Sequence, residues 1–431
     1  MPRRNLLVLL TITLLAVLCY QRVQKNVYGR VLANTMTKIE NRYLEPIQPS
    51  QLFERAMEGM LGKLDDYSAY ISPANLRDFH EMLDQEFGGI GVQVALDPHT
   101  RQLTVVCPLL ESPAYKAGVR AGDRILRIHD ASTQGMSLDD AASLLRGKPG
   151  ESVTITVLHE GEEKPVEVTI VREVIPADTV RGDTRNADGS WNFFLEGHDR
   201  IGYVRISSFT DNTVGKFKQA LDWLVEHKMR GLVLDFRDDP GGYVNAAIDI
   251  CDLLVRSGVI VTTRGRDGRI GYTAVARGDA PFTDFPIAAL VNQNSASAAE
   301  IVAACLQDHH RAGIVGQRSY GKGTIQEVID LESGCGAMKL TTASYWRPSG
   351  KNIARPHNAG PKDTWGVTPD EGCEVVVKDD EFNRWQSWRF HRDMFHAPAN
   401  GIAAKTGVEP FVDRPLVRAV EYLEKETDDK K

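Results

Sequence analysis

The sequence predicts a multidomain α+β chain built around an α/β core. Three observations carry this reading. From Ile201 to Val315, apolar runs of strand length alternate with stretches of helical spacing. From Glu86 onward, a glycine-rich stretch passes into period-two alternation, the mark of half-buried strands. Further upstream, Leu52, Ala56, Met57, Met60 and Leu61 recur at helical spacing. At 431 residues the chain is long enough for two or three domains with cores of their own.

The elements follow in order. Pro2-Arg3-Arg4 precedes an uncharged apolar run from Leu6 to Tyr20, the pattern of an export signal. No small-x-small cleavage site follows, so the expectation is an uncleaved membrane anchor over residues 1–22 with Arg3 and Arg4 inside. A helical segment over residues 23–84 comes next, broken at Leu64-Asp65-Asp66-Tyr67-Ser68. In the core, strands are expected at Ile201–Val204, Gly231–Phe236, Val259–Thr263, Ile287–Val291 and Ala312–Val315. Helices are expected at Val214–His227, Tyr243–Arg256 and Ala298–Asp308. The tail beyond Lys378 reads as helical and then charged, with its last few residues disordered.

Composition excludes some classes of function. A net charge of −7, with no basic stripe and interleaved aromatics, argues against nucleic acid as a partner. Cys107, Cys251 and Cys305 sit in apolar contexts, as buried free thiols do. Cys335 and Cys373 lie beside glycines, and whether they pair stays open. No Cys-x-x-Cys pair or Cys/His cluster has metal-ligand spacing, so no metal and no cofactor is expected. His309-His310 reads as a pair of solvated surface residues.

Chemistry concentrates in three segments. Ser295-Ala296-Ser297-Ala298-Ala299-Glu300 places a serine at the start of an apolar helix, and Gly321-Lys322-Gly323 places a lysine between glycines. A serine hydroxyl needs a base to take its proton, and a desolvated lysine can serve without any histidine. Each half also has a plain structural reading. Ser297 and Glu300 fit a capping box, and Lys322 fits a surface turn. Gly316 to Lys322 satisfies most of a phosphate-binding loop. Gly323 stands where that loop needs Ser or Thr, however, and a strand-like run follows instead of a helix. In the third segment, Arg237-Asp238-Asp239-Pro240-Gly241-Gly242 leaves the buried strand Gly231–Phe236. Its glycines can turn N–H groups toward an incoming oxyanion.

Together the three segments resemble the signatures of the carboxy-terminal processing peptidases, tail-specific serine proteases with an embedded PDZ domain. The similarity runs from about Asn34 to about Asp370. It implies Ser297 as nucleophile, Lys322 as general base, and Gln326 as the group orienting the lysine amine. It also implies Gly242 and Ala298 as the oxyanion hole, a crotonase-like core, and Glu300 at an acidic position used by some members. Gly88-Gly89-Ile90-Gly91, Ser112 to Gly118, Ala121 to Leu126 and a helix from Asp139 to Leu145 resemble a PDZ domain. Gly89, Ile90 and Gly91 would hold a terminal carboxylate while the next strand pairs with an extended peptide. The implied domains are the anchor (1–22), the helical segment (23–84), the PDZ domain (85–173), the Ser–Lys protease core (174–377) and the C-terminal helical segment with its charged tail (378–431). The expected partners are protein carboxy-terminal tails as substrate and the membrane through the anchor. A homo-oligomer or an adaptor is compatible with the sequence. The catalytic part is expected in the bacterial periplasm or cell envelope. A PDZ scaffold that binds without cutting would have no use for Ser297, Lys322 and Gln326. A hydratase or thioesterase on the same core would not need the PDZ insertion.

Overall fold

The computed structural model describes residues 5, 13, 27–84, 86–97, 100–109, 111–176, 178–186, 189–356, 358–360, 363–393 and 411–428. Apart from Asn5 and Thr13, the expected anchor lies outside these residues, as does the extreme carboxy terminus. Among the described residues no helix is long and apolar enough to cross a membrane. The chain divides into two units.

The first unit holds the chain up to Leu76 together with Gln326–Thr341. Its helix Val27–Arg42 buries no residue, and the next, Pro49–Leu61, buries Met57 and Leu61. Pro49 suits the first turn, where its missing N–H has no partner to lose. The helical pattern then breaks because the Asp65 carboxylate captures the Tyr67 and Ser68 N–H groups, each at 2.8 Å. Strand Ala69–Ile71 follows and pairs antiparallel with the start of Ala337–Trp346.

In the second unit, five main strands between Val92 and Val171 form an antiparallel sheet, joined by the short strand Ala131–Ser132. Strand Ser152–Leu158 buries every second residue, as period-two alternation requires. Helix Leu138–Leu145 starts at Ser137, whose hydroxyl accepts the Asp140 N–H. Glu86–Gly89 pairs antiparallel with Glu173–Pro176, closing the entry and exit of this subdomain.

The core elements are β1 (Ile201–Ile206), α1 (Thr213–Glu226), β2 (Gly231–Asp235), α2 (Val244–Leu254), β3 (Ile287–Val291), α3 (Ala298–Asp308) and β4 (Ala312–Gly316). The four strands run parallel in the order β1-β2-β3-β4, with Val180–Arg181 antiparallel at the β1 edge. All their residues are buried, which is why they read as unbroken apolar runs. Alternate residues serve opposite faces. Leu232, Leu234, Ile287 and Ala289 pack with the helices α1–α3, while Val233, Ala288 and Leu290 pack with Leu416, Ala419 and Leu423 of helix Arg414–Asp428. Strand Val259–Gly265 departs from the expected alternation. It is only partly buried and pairs antiparallel with Ile270–Val275 and with the end of Ala337–Trp346.

One buried ion cluster ties the carboxy terminus to the core. Arg237, just beyond β2, binds Asp235 through Nε and Nη2, and both Asp413 oxygens at 2.9 Å. The Trp385 ring covers the guanidinium, and its N–H donates to Asp413. Burial pulls the Asp235 carboxyl up, but the charge and hydrogen bonds of Arg237 outweigh it and hold the group below its ordinary range. Asp413→Ala leaves a buried guanidinium short of one carboxylate and should lower stability by about 3–5 kcal/mol. Urea denaturation followed by tryptophan fluorescence measures this. A loss below about 1 kcal/mol would mean the cluster is not limiting.

Candidate active site

The carboxyl ends of parallel strands collect the loops of an α/β sheet at one edge. Here β2 ends in Arg237–Gly242, β3 in Asn292–Ser297, and β4 in Gln317–Gly323. The three signature segments therefore leave adjacent strands side by side.

Ser297 is buried and holds φ 55°, ψ −113°, a strained conformation for a non-glycine residue at a sharp strand-to-helix turn. Its neighbour Ser295 is locked differently. The Ser295 hydroxyl donates to the Phe236 carbonyl at 2.8 Å and accepts the Asn292 N–H, so it fastens β3 to the β2 turn. Of the two serines, Ser295 is the structural one.

Gly241 packs directly on Ser297. A Cβ there would lie 2.8 Å from the Ser297 Cβ and 2.9 Å from the Ala298 nitrogen. Gly242, at φ +144°, would place a Cβ 2.1 Å from the Phe209 carbonyl oxygen. The turn is fixed by bonds from Phe209 N–H to Gly241 O and from Tyr243 N–H to Phe209 O. Gly242 is exposed. Among the described residues neither its N–H nor that of Ala298 has a hydrogen-bond acceptor. The turn after β2 and the start of α3 thus each carry a backbone donor that no described group engages.

Glu300 joins the serine to the lysine turn. Its Oε1 accepts the Ser319 hydroxyl at 2.5 Å and the Gly321 N–H at 2.6 Å, while Oε2 accepts the Lys322 N–H at 2.8 Å and the Ser297 N–H at 3.0 Å. Burial pushes its carboxyl above the ordinary range, and these four bonds offset part of the rise. Lys322 is half-buried. Its turn is no solvated hairpin, because a Cβ on Gly323 would lie 2.1 Å from the Ala354 nitrogen. Tyr320 N–H donates to the Ser295 carbonyl, stapling the lysine turn to the end of β3.

The remaining sequence-predicted residues have the following settings. Gln326 belongs to the first unit, where its amide donates to Thr341 Oγ1 at 3.2 Å, which donates in turn to Asp65. Gly89, Ile90 and Gly91 line a cavity of about 390 Å³ with Val92, Val94 and Leu145, opposite Arg181, Arg185 and Trp191 of the core. Cys107 is buried, Cys251 and Cys305 are buried free thiols, and Cys335 and Cys373 are also free. His310 is exposed as expected. His309 is not solvated, because its ring packs on Gly258 and its Nε2 lies 2.7 Å from the Val259 carbonyl oxygen.

Sequence reading passed over Asp239, Ser319 and Asp413. Asp239 looked like an ordinary turn residue, and the other two act through partners distant in sequence. Glu300→Gln should cost about 1–3 kcal/mol, since an amide N–H₂ would face two donors and leave them unsatisfied. Thermal denaturation checks it, and an unchanged midpoint would refute the four-donor arrangement.

Residues 200–372 match Peptidase family S41, and residues 104–159 match a PDZ domain. The chain is 35% identical over 357 residues to a carboxy-terminal-processing protease of Bartonella bacilliformis, covering 80% of this chain and 76% of that one. It is 34% identical over 338 residues to a carboxyl-terminal-processing protease of Synechocystis sp., covering 78% and 74%. Among solved structures it is similar to a photosystem II D1 C-terminal processing protease. That match is 26% identical, covers 81% of this chain and 93% of that one, and has a TM-score of 0.47. With a PDZ domain ahead of the core and relatives at this identity along most of both chains, the chain belongs to the carboxy-terminal processing proteases, serine-type peptidases of family S41.

Proposed function

We propose that this protease cleaves protein substrates near their carboxy termini with a Ser297–Lys322 dyad, after its PDZ domain has bound the free tail. Ser297 attacks the scissile carbonyl. Lys322 takes the serine proton and returns it to the leaving amine. The N–H groups of Gly242 and Ala298 hold the oxyanion, and Gln326 orients the lysine amine. The observation that carries this reading is the pair of unengaged N–H groups beside Ser297, on a turn that Glu300 links to the Lys322 backbone. The run of parallel strands and covering helices supports the crotonase-like description of the core.

Tail recognition rests on the PDZ side of the 390 Å³ cavity, where Gly89, Ile90 and Gly91 meet a groove between a strand and a helix. Because the core forms the opposite wall, an occupied groove also bears on the protease body, so tail binding shifts the population of active arrangements. Residues 1–22 anchor the enzyme to the membrane with its catalytic part exported.

Ser297→Ala should abolish cleavage and leave the fold intact by circular dichroism; wild-type turnover in that variant would remove Ser297 from the chemistry. Lys322→Arg should be nearly as inactive as Lys322→Ala, because a guanidinium cannot accept the serine proton. Gly242→Ala should lower kcat by about 100- to 1,000-fold, the scale of a lost oxyanion donor. Tail recognition is tested by cutting one peptide with a free and with an amidated carboxyl end. The free form should be preferred, and equal rates would defeat the PDZ role.

A further inference from the structure

Asp239 takes no part in the proposed dyad or oxyanion hole, yet it bonds to the residue before each of Gly242 and Ser297. It is fully buried in the turn after β2. Its Oδ1 accepts the Gly241 N–H at 2.8 Å, and its backbone carbonyl accepts the Ala296 N–H at 2.9 Å. One side chain therefore holds the glycine that packs on Ser297, and the same residue's backbone holds the residue before Ser297. Its Oδ2 has no hydrogen-bond partner among the described residues.

A buried carboxylate with a single donor and no countercharge is costly, and protonation relieves the cost. Charged groups on the surrounding elements are committed elsewhere. Arg237 is held by Asp235 and Asp413, Asp238 accepts from Asn292 and Asn294, and Glu300 accepts its four donors. Lys322 is a charged group on the turn after β4. Burial pushes the Asp239 carboxyl well above its ordinary range, with the Gly241 N–H as the opposing influence. Because Oδ1 accepts a hydrogen bond, the proton belongs on Oδ2.

We propose that Asp239 is a positioning residue that works as a neutral carboxylic acid, its Oδ1 keeping Gly241 in place against Ser297 so that the Gly242 N–H faces the oxyanion. This rests on the Ser297–Lys322 reading above. The sign follows from linkage. A carboxyl whose folded pKa is raised contributes stability that is present below its unfolded pKa and lost as pH rises through the folded one. The fold therefore loses stability as pH rises from the ordinary carboxyl range through the raised one, and Asp239→Asn, which cannot ionise, escapes that loss.

The test is the pH profile of kcat and KM for peptide cleavage by the full chain, as wild type, Asp239→Asn and Asp239→Ala, with melting midpoints recorded at each pH. Asp239→Asn should recover most of the kcat lost in Asp239→Ala, because its amide oxygen can accept the Gly241 N–H as the carboxylic acid does. Asp239→Ala should lose about tenfold or more in kcat with KM little changed, since only the oxyanion geometry suffers. The alkaline fall in melting midpoint should also shrink in Asp239→Asn. A melting midpoint that falls with pH as steeply in Asp239→Asn as in wild type, or an Asp239→Asn protein that fails to fold or is as inactive as Asp239→Ala, overturns the proposal. If cleavage does not depend on Ser297 at all, the dyad reading fails instead, and the melting profiles still decide whether Asp239 is neutral in the fold.

Discussion

The Glu300 carboxylate is the contact on which the site's geometry depends. Its oxygens collect donors from two segments more than a strand apart in sequence, the start of α3 and the loop after β4. Three of the four donors are backbone N–H groups, so the arrangement fixes main chain instead of side-chain rotamers. A backbone held this way reorganises little when charge develops nearby, which is the condition for electrostatic preorganisation. Ser297 can stay in a sparsely populated conformation because this anchor and the packing of Gly241 hold it from both sides.

Around that contact the design is one of adjacency. Three parallel strands deliver three loops to the same edge, and side-chain and backbone bonds then stitch neighbour to neighbour. Ser295 reaches the β2 end, Asn292 reaches Asp238, and Tyr320 reaches Ser295. Most of these bonds are short-range in space and long-range in sequence. The strands must therefore be in register before any of them can form, and the close-packed faces of β2 and β3 provide that register.

Much of this was legible from residues alone. The continuous apolar runs of β2, β3 and β4, and the helical spacing of α1 to α3, mark their elements because each is governed by local burial. The turn Arg237–Gly242 and the segments around Ser297 and Lys322 were visible as motifs. Partner choice was not. Strand Val259–Gly265 has the length and apolarity of its neighbours, but nothing local says that it pairs antiparallel outside the parallel sheet. Nor does periodicity reveal that Gln326–Thr341 joins the amino-terminal helices in one unit. Asp413 stands 176 residues from Arg237, beyond the reach of any pattern argument. Ser295 and Ser297 are alike in composition and differ only in what surrounds each hydroxyl.

The distance between Arg237 and Asp413 has a bearing on how the enzyme comes into being. A ribosome makes Arg237, Gly241, Gly242, Ser297 and Lys322 well before it reaches Asp413 in this chain of 431 residues. Until that late carboxylate and the Trp385 ring arrive, the guanidinium at the head of the glycine turn has Asp235 alone to balance it. The nascent chain can thus carry every residue of the proposed chemistry without its finished electrostatic support. The glycine turn reaches its finished electrostatic balance only after Trp385 and Asp413 have been made.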